Sequence, residues 1–357
     1  MLWETTTIVV EPSVSEAAVN GIPRVNVNED SAMSTPTEER RRTVFARLVD
    51  LARRTAASVT LLAARATRRQ AGIVLVYHGL GPVDGDPARE LVPAIGTASF
   101  DAQLQLLSAR YRPVPAEQIR EAAAARKRWE PFPVAVTFDD DLASHVELAA
   151  PALARHDLPV TFFLGGASLE GPAAFWWQRL QCLVDAGRLD DAERALPEAR
   201  GAGLHALAKV VEELPAAERD AFAARLAALD DSTPDRGLSA DAVSALAARG
   251  FSIGFHTRRH DRLPPLDDPA LAAALSDGLA ELEIAAGGPI DSISYPHGRA
   301  DGRVAAAAKQ AGFSVGFTGT QRTVGPDSDP LLLSRVSPAF GGIGAFALRL
   351  ARLALSG

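Results

Sequence analysis

Thr137-Phe138-Asp139-Asp140-Asp141 sets three carboxylates at the end of an apolar run, Val134-Ala135-Val136. Far along the chain, His256-Thr257-Arg258-Arg259-His260 closes a second such run, Phe251-Ser252-Ile253-Gly254-Phe255. Two histidines and one carboxylate are the ligand set of a hydrolytic zinc site, which keeps a coordination position for water. A second carboxylate beside the ligand can serve as the base on that water. The pattern predicts a metal-dependent hydrolase.

Each signal also has an ordinary reading. Asp141 can cap a helix beginning at Leu142, and a His-x-x-x-His pair arises by chance on helices. Tyr77-His78-Gly79 and Tyr295-Pro296-His297-Gly298 both fit strand-exit turns. What points to a site is their joint occurrence at four strand ends. His78, His256, His260 and His297 fall there, whereas His145, His156 and His205 lie in helical segments and are expected at the surface.

The elements that must position these residues alternate. Strand candidates are Ile73–Tyr77, Arg112–Val114, Pro133–Phe138, Pro159–Leu164, Phe251–Phe255, Ser292–Tyr295, Phe313–Thr318 and Leu331–Val336. Helical segments such as Phe100–Arg110, Glu117–Lys127, Leu142–His156 and Arg303–Ala311 separate most of them. Regular β-α alternation predicts an α/β fold with a parallel sheet, here a (β/α) barrel of seven to eight strands, regular or distorted, over residues 71–340. A doubly wound open sheet fits the pattern as well. Between Leu164 and Phe251 the sequence is helical only, which predicts a helical insertion at about 167–248. It opens with Phe175-Trp176-Trp177, a platform for a sugar ring or an apolar patch that packs on the barrel.

Glu38 to Gln70 reads as a basic helix with apolar residues Val44, Leu48, Leu51, Val59 and Leu62 at three- and four-residue steps. It would lie on an anionic membrane surface or pack on the domain with its basic face solvated. Residues 1–37 read as a disordered leader or an over-long start ahead of Met33, and 341–357 as a C-terminal helix. No secretory signal is visible, which favours the cytoplasmic side, with a peripheral location at the inner membrane expected if the basic helix docks there. A net charge of -7 excludes a nucleic-acid binder. The single cysteine excludes an intramolecular disulfide or a cysteine metal cage. Nothing in the chain fixes an oligomeric state.

These motifs resemble the polysaccharide deacetylases, carbohydrate esterase family four, with the chitooligosaccharide-deacetylase homology domain. Thr137-Phe138-Asp139-Asp140 matches the family's first motif, with Asp141 where glycine is usual. His256-Thr257-Arg258-Arg259-His260 matches the second in full. The third survives as Ser294-Tyr295-Pro296-His297-Gly298, with Ser294 in place of the family's arginine. The late catalytic histidine is absent, and Tyr77-His78 resembles the branch that supplies it from the N-terminal end.

The resemblance implies that Asp140, His256 and His260 hold a divalent metal, zinc first and cobalt or nickel as alternatives. The two histidines, four residues apart, can face one ion from a single helical turn. The resemblance further implies Asp139 as general base, His78 as general acid and the backbone N–H of His297 as an oxyanion donor. Asp141, Tyr295, Arg299, Trp176 and Trp177 are the candidate substrate contacts. Arg299 or Arg335 could replace the missing arginine. The leading reading is an N-deacetylase of an amino sugar in a bacterial surface polysaccharide or its precursor. A hydrolase of a non-sugar linear amide and a non-catalytic sugar-binding or scaffold protein are the alternatives.

Overall fold

The computed structural model describes residues 36–169, 171, 173–229, 237–338 and 341–356. Almost all of the expected leader, including Met33, lies outside the described residues. Seven parallel strands follow one another in space as they do in sequence: β1 (Ile73–Tyr77), β2 (Pro133–Asp139), β3 (Val160–Leu164), β4 (Ser252–Phe255), β5 (Ser292–Ser294), β6 (Val315–Thr318) and β7 (Leu333–Ser334). Just past β7, Val336 forms a parallel bridge to Leu75 of β1, its N–H donating to Val74 O at 2.8 Å. First and last strands therefore meet, and the sheet is a nearly closed, distorted (β/α) barrel. The expected strand Arg112–Val114 shrinks to a two-residue addition at the start of β2.

Strands buried on both faces explain the near-continuous apolar runs in the sequence. Along β2, alternation sends Val134, Val136 and Phe138 outward into the core beneath the helices. Ala135 points into the barrel, where it meets Val74, Phe163, Phe317 and Leu333. The same two-residue period puts Thr137 and Asp139 on the interior face. Arg335, two residues beyond Leu333, follows that face from the other side of the seam.

The insertion has a hydrophobic core of its own. It is built from α2 (Trp176–Asp185), the helix Leu189–Ala195, α3 (Leu204–Glu213) and α4 (Ala216–Leu229). Leu91 and Val92, from the loop after β1, join this core. Helix Ala240–Ala248, which the sequence reading counted with the insertion, instead packs Val243 and Leu246 into the barrel core. Entry and exit of the insertion meet at Gly237, where φ is +70° and an added Cβ would fall 1.9 Å from Ser168 Oγ. Only glycine is free of strain there.

α1 (Pro36–Arg65) lies along α5 (Ile343–Ser356), burying Ala57, Leu61 and Ala64. Asp50 Oδ1 accepts from Gly344 N at 2.7 Å. The apolar stripe read from the sequence is on the other side. Val44, Leu48, Leu51, Val59 and Leu62 are all more than half exposed, and Phe45 is 70% exposed. Small residues let the helix pack closely on α5 and leave the large ones outward. Among the described residues no helix is long and apolar enough to cross a membrane.

Candidate functional site

The C-terminal ends of β2, β4 and β5 converge on one buried centre. Asp139, the last residue of β2, is fully buried and accepts three hydrogen bonds. Arg335 Nη1 donates to Oδ1 at 2.6 Å, and Arg335 Nη2 to Oδ2 at 2.7 Å. Ser294 Oγ, at the end of β5, donates to Oδ2 at 3.0 Å and itself accepts from Arg335 Nη2 at 2.6 Å. Arg335 is thus the replacement for the missing arginine, and Ser294 leaves room for it and relays its contact. Arg299, the other candidate, is exposed. Burial alone would raise the Asp139 carboxyl, but the Arg335 guanidinium and then His256 outweigh it and hold the acid well below the usual carboxylate range.

Asp140 turns the other way. Its φ of 72° takes the chain into the left-handed region and aims the carboxylate at the histidines. Oδ1 lies 3.5 Å from His256 Nε2 and 3.7 Å from His260 Nε2. Donor atoms of the three residues all fall within 4.8 Å of one another. The other nitrogen of His256, Nδ1, is 2.8 Å from Ser294 O, which leaves Nε2 facing the centre. Asp140 Oδ1 and His256 Nε2 are buried with no hydrogen-bond partner. Buried polar atoms are almost always satisfied, so orphans that converge in this way fit a cation.

The electrostatics agree. Burial would lower the His256 imidazole, but Asp139 and Asp140 outweigh it and raise it. Burial, with His297 and His256 nearby, holds His260 well below its ordinary value, and burial does the same to His297. Neutral imidazole, the form that ligates metal, is favoured at His260, while at His256 the two carboxylates favour positive charge, which a cation would also meet. His256 and His260 do not share a helical turn, as the spacing suggested. They sit at the ends of an irregular loop in which Thr257 (φ 59°) and His260 (φ 51°) are both left-handed. Asp140, Thr257, His260 and His297 make four of the seven such non-glycine residues among those described. Strain of this kind gathers where a site imposes its geometry.

The insertion roofs this centre. A cavity of about 20 Å³, room for a water or two, is lined by His78, Asp140, Trp177, Glu212, His260 and His297, with Leu91, Val92, Trp176 and Ala208 completing its wall. His260 packs its ring against Trp177 at 4.9 Å and His297 at 4.6 Å. Past Trp177 a larger cavity of about 270 Å³ opens, bounded also by Ser144, Gln178 and Gln181. Asp140, Leu91, Val92 and Trp177 line both chambers.

Of the expected site residues, His78, Asp139, Asp140, His256, His260 and His297 come together here, and Trp176 and Trp177 reach the wall. Three expected substrate contacts do not. Asp141 neither faces the cavities nor caps a helix: its oxygens accept from Gly165 N at 3.0 Å and Ala167 N at 3.1 Å, tying the ends of β2 and β3 together. Burial pushes its carboxyl up to about 6. Tyr295 is fully buried in the barrel core, and Arg299 points to solvent. His145, expected at the surface, is fully buried beneath the site with Nε2 3.3 Å from His78 O. Glu212, Leu91 and Val92 were not anticipated. Nothing in an amphipathic helix or a short loop marks which residue will face a centre built elsewhere.

The sequence pattern described as polysaccharide deacetylase matches residues 127–316. His78 and Arg335 both lie outside that span. No curated protein matches the chain. Among solved structures it is similar to the Streptococcus pyogenes deacetylase PplD in complex with acetate, at 16% identity and a TM-score of 0.53, covering 80% of this chain and 99% of that one. It is also similar to IcaB from Ammonifex degensii, at 19% identity and a TM-score of 0.50, covering 80% and 97% respectively. At these identities the likeness establishes the barrel architecture.

Proposed function

The chain belongs to the polysaccharide deacetylase family, and from that premise we propose that it is a metal-dependent N-deacetylase acting on an amino sugar of a bacterial surface polysaccharide or its precursor. The observation that supports this most directly is the pair of orphaned donor atoms, Asp140 Oδ1 and His256 Nε2, buried beside His260 at the C-terminal end of the barrel. Asp140, His256 and His260 would hold the metal, with zinc the first choice for two imidazoles and a carboxylate. When bound, such a cation supplies Lewis acidity, easing the ionisation of water and polarising an acyl oxygen.

The remaining roles fall to the protein. Asp139, held ionised and aimed by Arg335, accepts the proton of the attacking water. His78, in the cavity wall with Asp140 and His260, donates a proton to the departing amine nitrogen as the carbon–nitrogen bond breaks. The products are acetate and a free amine. The backbone N–H of His297, in the turn Pro296–Gly298, would meet the developing oxyanion. The larger chamber beyond Trp177, which shares Asp140 with the small one, suits the substituted sugar ring.

The exposed stripe of α1 supports a location at an anionic membrane surface. The helix carries seven arginines against three carboxylates in a chain of net charge -7, the combination that binds anionic lipid. Flotation with anionic vesicles and not with neutral ones would bear this out. The test of the activity is metal content of the purified protein together with acetate release from N-acetylated oligosaccharides, with and without chelator. One metal per chain and chelator-sensitive release are expected. A chain that takes up no zinc, cobalt or nickel overturns the reading.

A further inference from the structure

The insertion does more than cover the centre, because it grips the loop that delivers one of its ligands. Arg219 of α4 and Asp261, the residue after His260, are 6% and 7% exposed. Arg219 Nη2 donates to Asp261 Oδ1 and, at 3.4 Å, to Arg259 O. Arg259 reaches back to the insertion, its Nη2 donating to Asp220 of α4 at 2.6 Å while its Nε lies 3.5 Å from Asp261 Oδ2. Both neighbours of His260 in the chain are therefore tied to Arg219 and Asp220. From the other side, Trp177 of α2 packs on the His260 ring.

The loop needs such support. Left-handed backbone is strained for a non-glycine residue, and both Thr257 and His260 adopt it. It persists where the surroundings over-determine it. On the barrel side Gly165 lets β3's exit pass close to Thr257 O, where a Cβ would come within 2.8 Å. On the roof side the restraint is Arg219. A buried ion pair is a poor source of net stability compared with apolar packing. Its use here lies in what it adjoins.

We propose that Arg219 and Asp261 are positioning residues for His260, which makes the insertion a structural part of the metal centre. This rests on the metal reading above. The partners that orient metal ligands typically change affinity by about 10- to 100-fold when removed. The test is the dissociation constant for zinc, by competition with a chelating dye, and the absorption spectrum of the cobalt-loaded protein. Arg219→Met and Asp261→Asn should each bind zinc about 10- to 100-fold more weakly, with a shifted cobalt spectrum and an unchanged circular dichroism spectrum. Arg219→Lys should recover most of the affinity.

Arg188→Met serves as the control, since Arg188 pairs with Asp191 and Leu229 O inside the insertion and does not touch the loop. It should bind zinc as the parent does. Parent-like affinity in folded Arg219→Met or Asp261→Asn overturns the proposal. Equal losses in Arg188→Met and Arg219→Met overturn it too, by tracing the effect to insertion stability in general. If Arg219→Met does not fold, Asp261→Asn decides. Failure of the parent protein to bind any metal overturns the metal reading as well.

Discussion

Asp139 and Asp140 are neighbours in the chain, both buried at the exit of the same strand, and their surroundings are opposites. Asp139 receives three hydrogen bonds from Arg335 and Ser294. Asp140 presents Oδ1 to two imidazoles and has no donor there. Each carboxyl resists burial and is held below its ordinary value, Asp139 chiefly by Arg335 and Asp140 chiefly by His256. One half of the centre is completed by the protein, and the other fits a cation. An unsatisfied buried atom is costly, so the contrast separates a finished half from one whose converging donor atoms fit a cation.

The sharpest way to break this contrast is from the unfinished side. Asp140→Ala or His256→Ala should leave no stoichiometric metal by mass spectrometry and reduce acetate release to background. Next comes the finished side. Arg335→Met should still bind one metal but lose about 10²–10⁴-fold in kcat, the range of general-base catalysis. It should also lose about 3–5 kcal/mol of stability in denaturant, because Asp139 is left buried and unpaired. Loss of metal in this variant would show that the two halves are not separable.

A third test asks how far the dry environment of the finished side extends. His145 lies between Phe138 and Phe162, its ring 5.1 Å and 5.3 Å from theirs, and burial lowers it to about 4. Unfolded, the same group titrates near about 6.5. Between those values the unfolded chain binds a proton that the folded chain refuses. Stability present above about pH 6.5 should thus fall by about 3 kcal/mol as pH drops to 4. His145→Phe should flatten that slope in pH-dependent denaturation. The smallest effect belongs to Ser294→Ala, which removes one relay while both arginine contacts remain: about 1 kcal/mol of stability and less than about tenfold in kcat.

Much of this was legible beforehand, because alternation is a local property. Val134-Ala135-Val136 announces a strand, and whatever ends a barrel strand stands at its catalytic face. Asp139, Asp140, His256 and His260 could therefore be placed together before their distances were known. Arg335 could be named only as one of two candidates, since choosing it requires knowing that β7 closes against β1. His145 was misplaced because helical periodicity does not say whether a helix's first turn is tucked under a sheet. The insertion's extent was blurred for a similar reason. Ala240–Ala248 and the helices before it are alike in composition, and only the core they join tells them apart. Asp141 and Tyr295 looked chemical by position, yet one clasps two strand ends and the other fills the core.

The seam between β7 and β1 also bears on how the protein is made. The guanidinium that neutralises Asp139 stands 196 positions downstream of it. A ribosome will have delivered Asp140, His256, His260 and the whole insertion before that counter-charge leaves the exit tunnel. Until then Asp139 has reason to stay in water, since burying it alone is unfavourable. The barrel's interior should therefore be among the last parts to dry, and chains cut short before Arg335 should remain open and inactive, so that only a finished polypeptide becomes an enzyme.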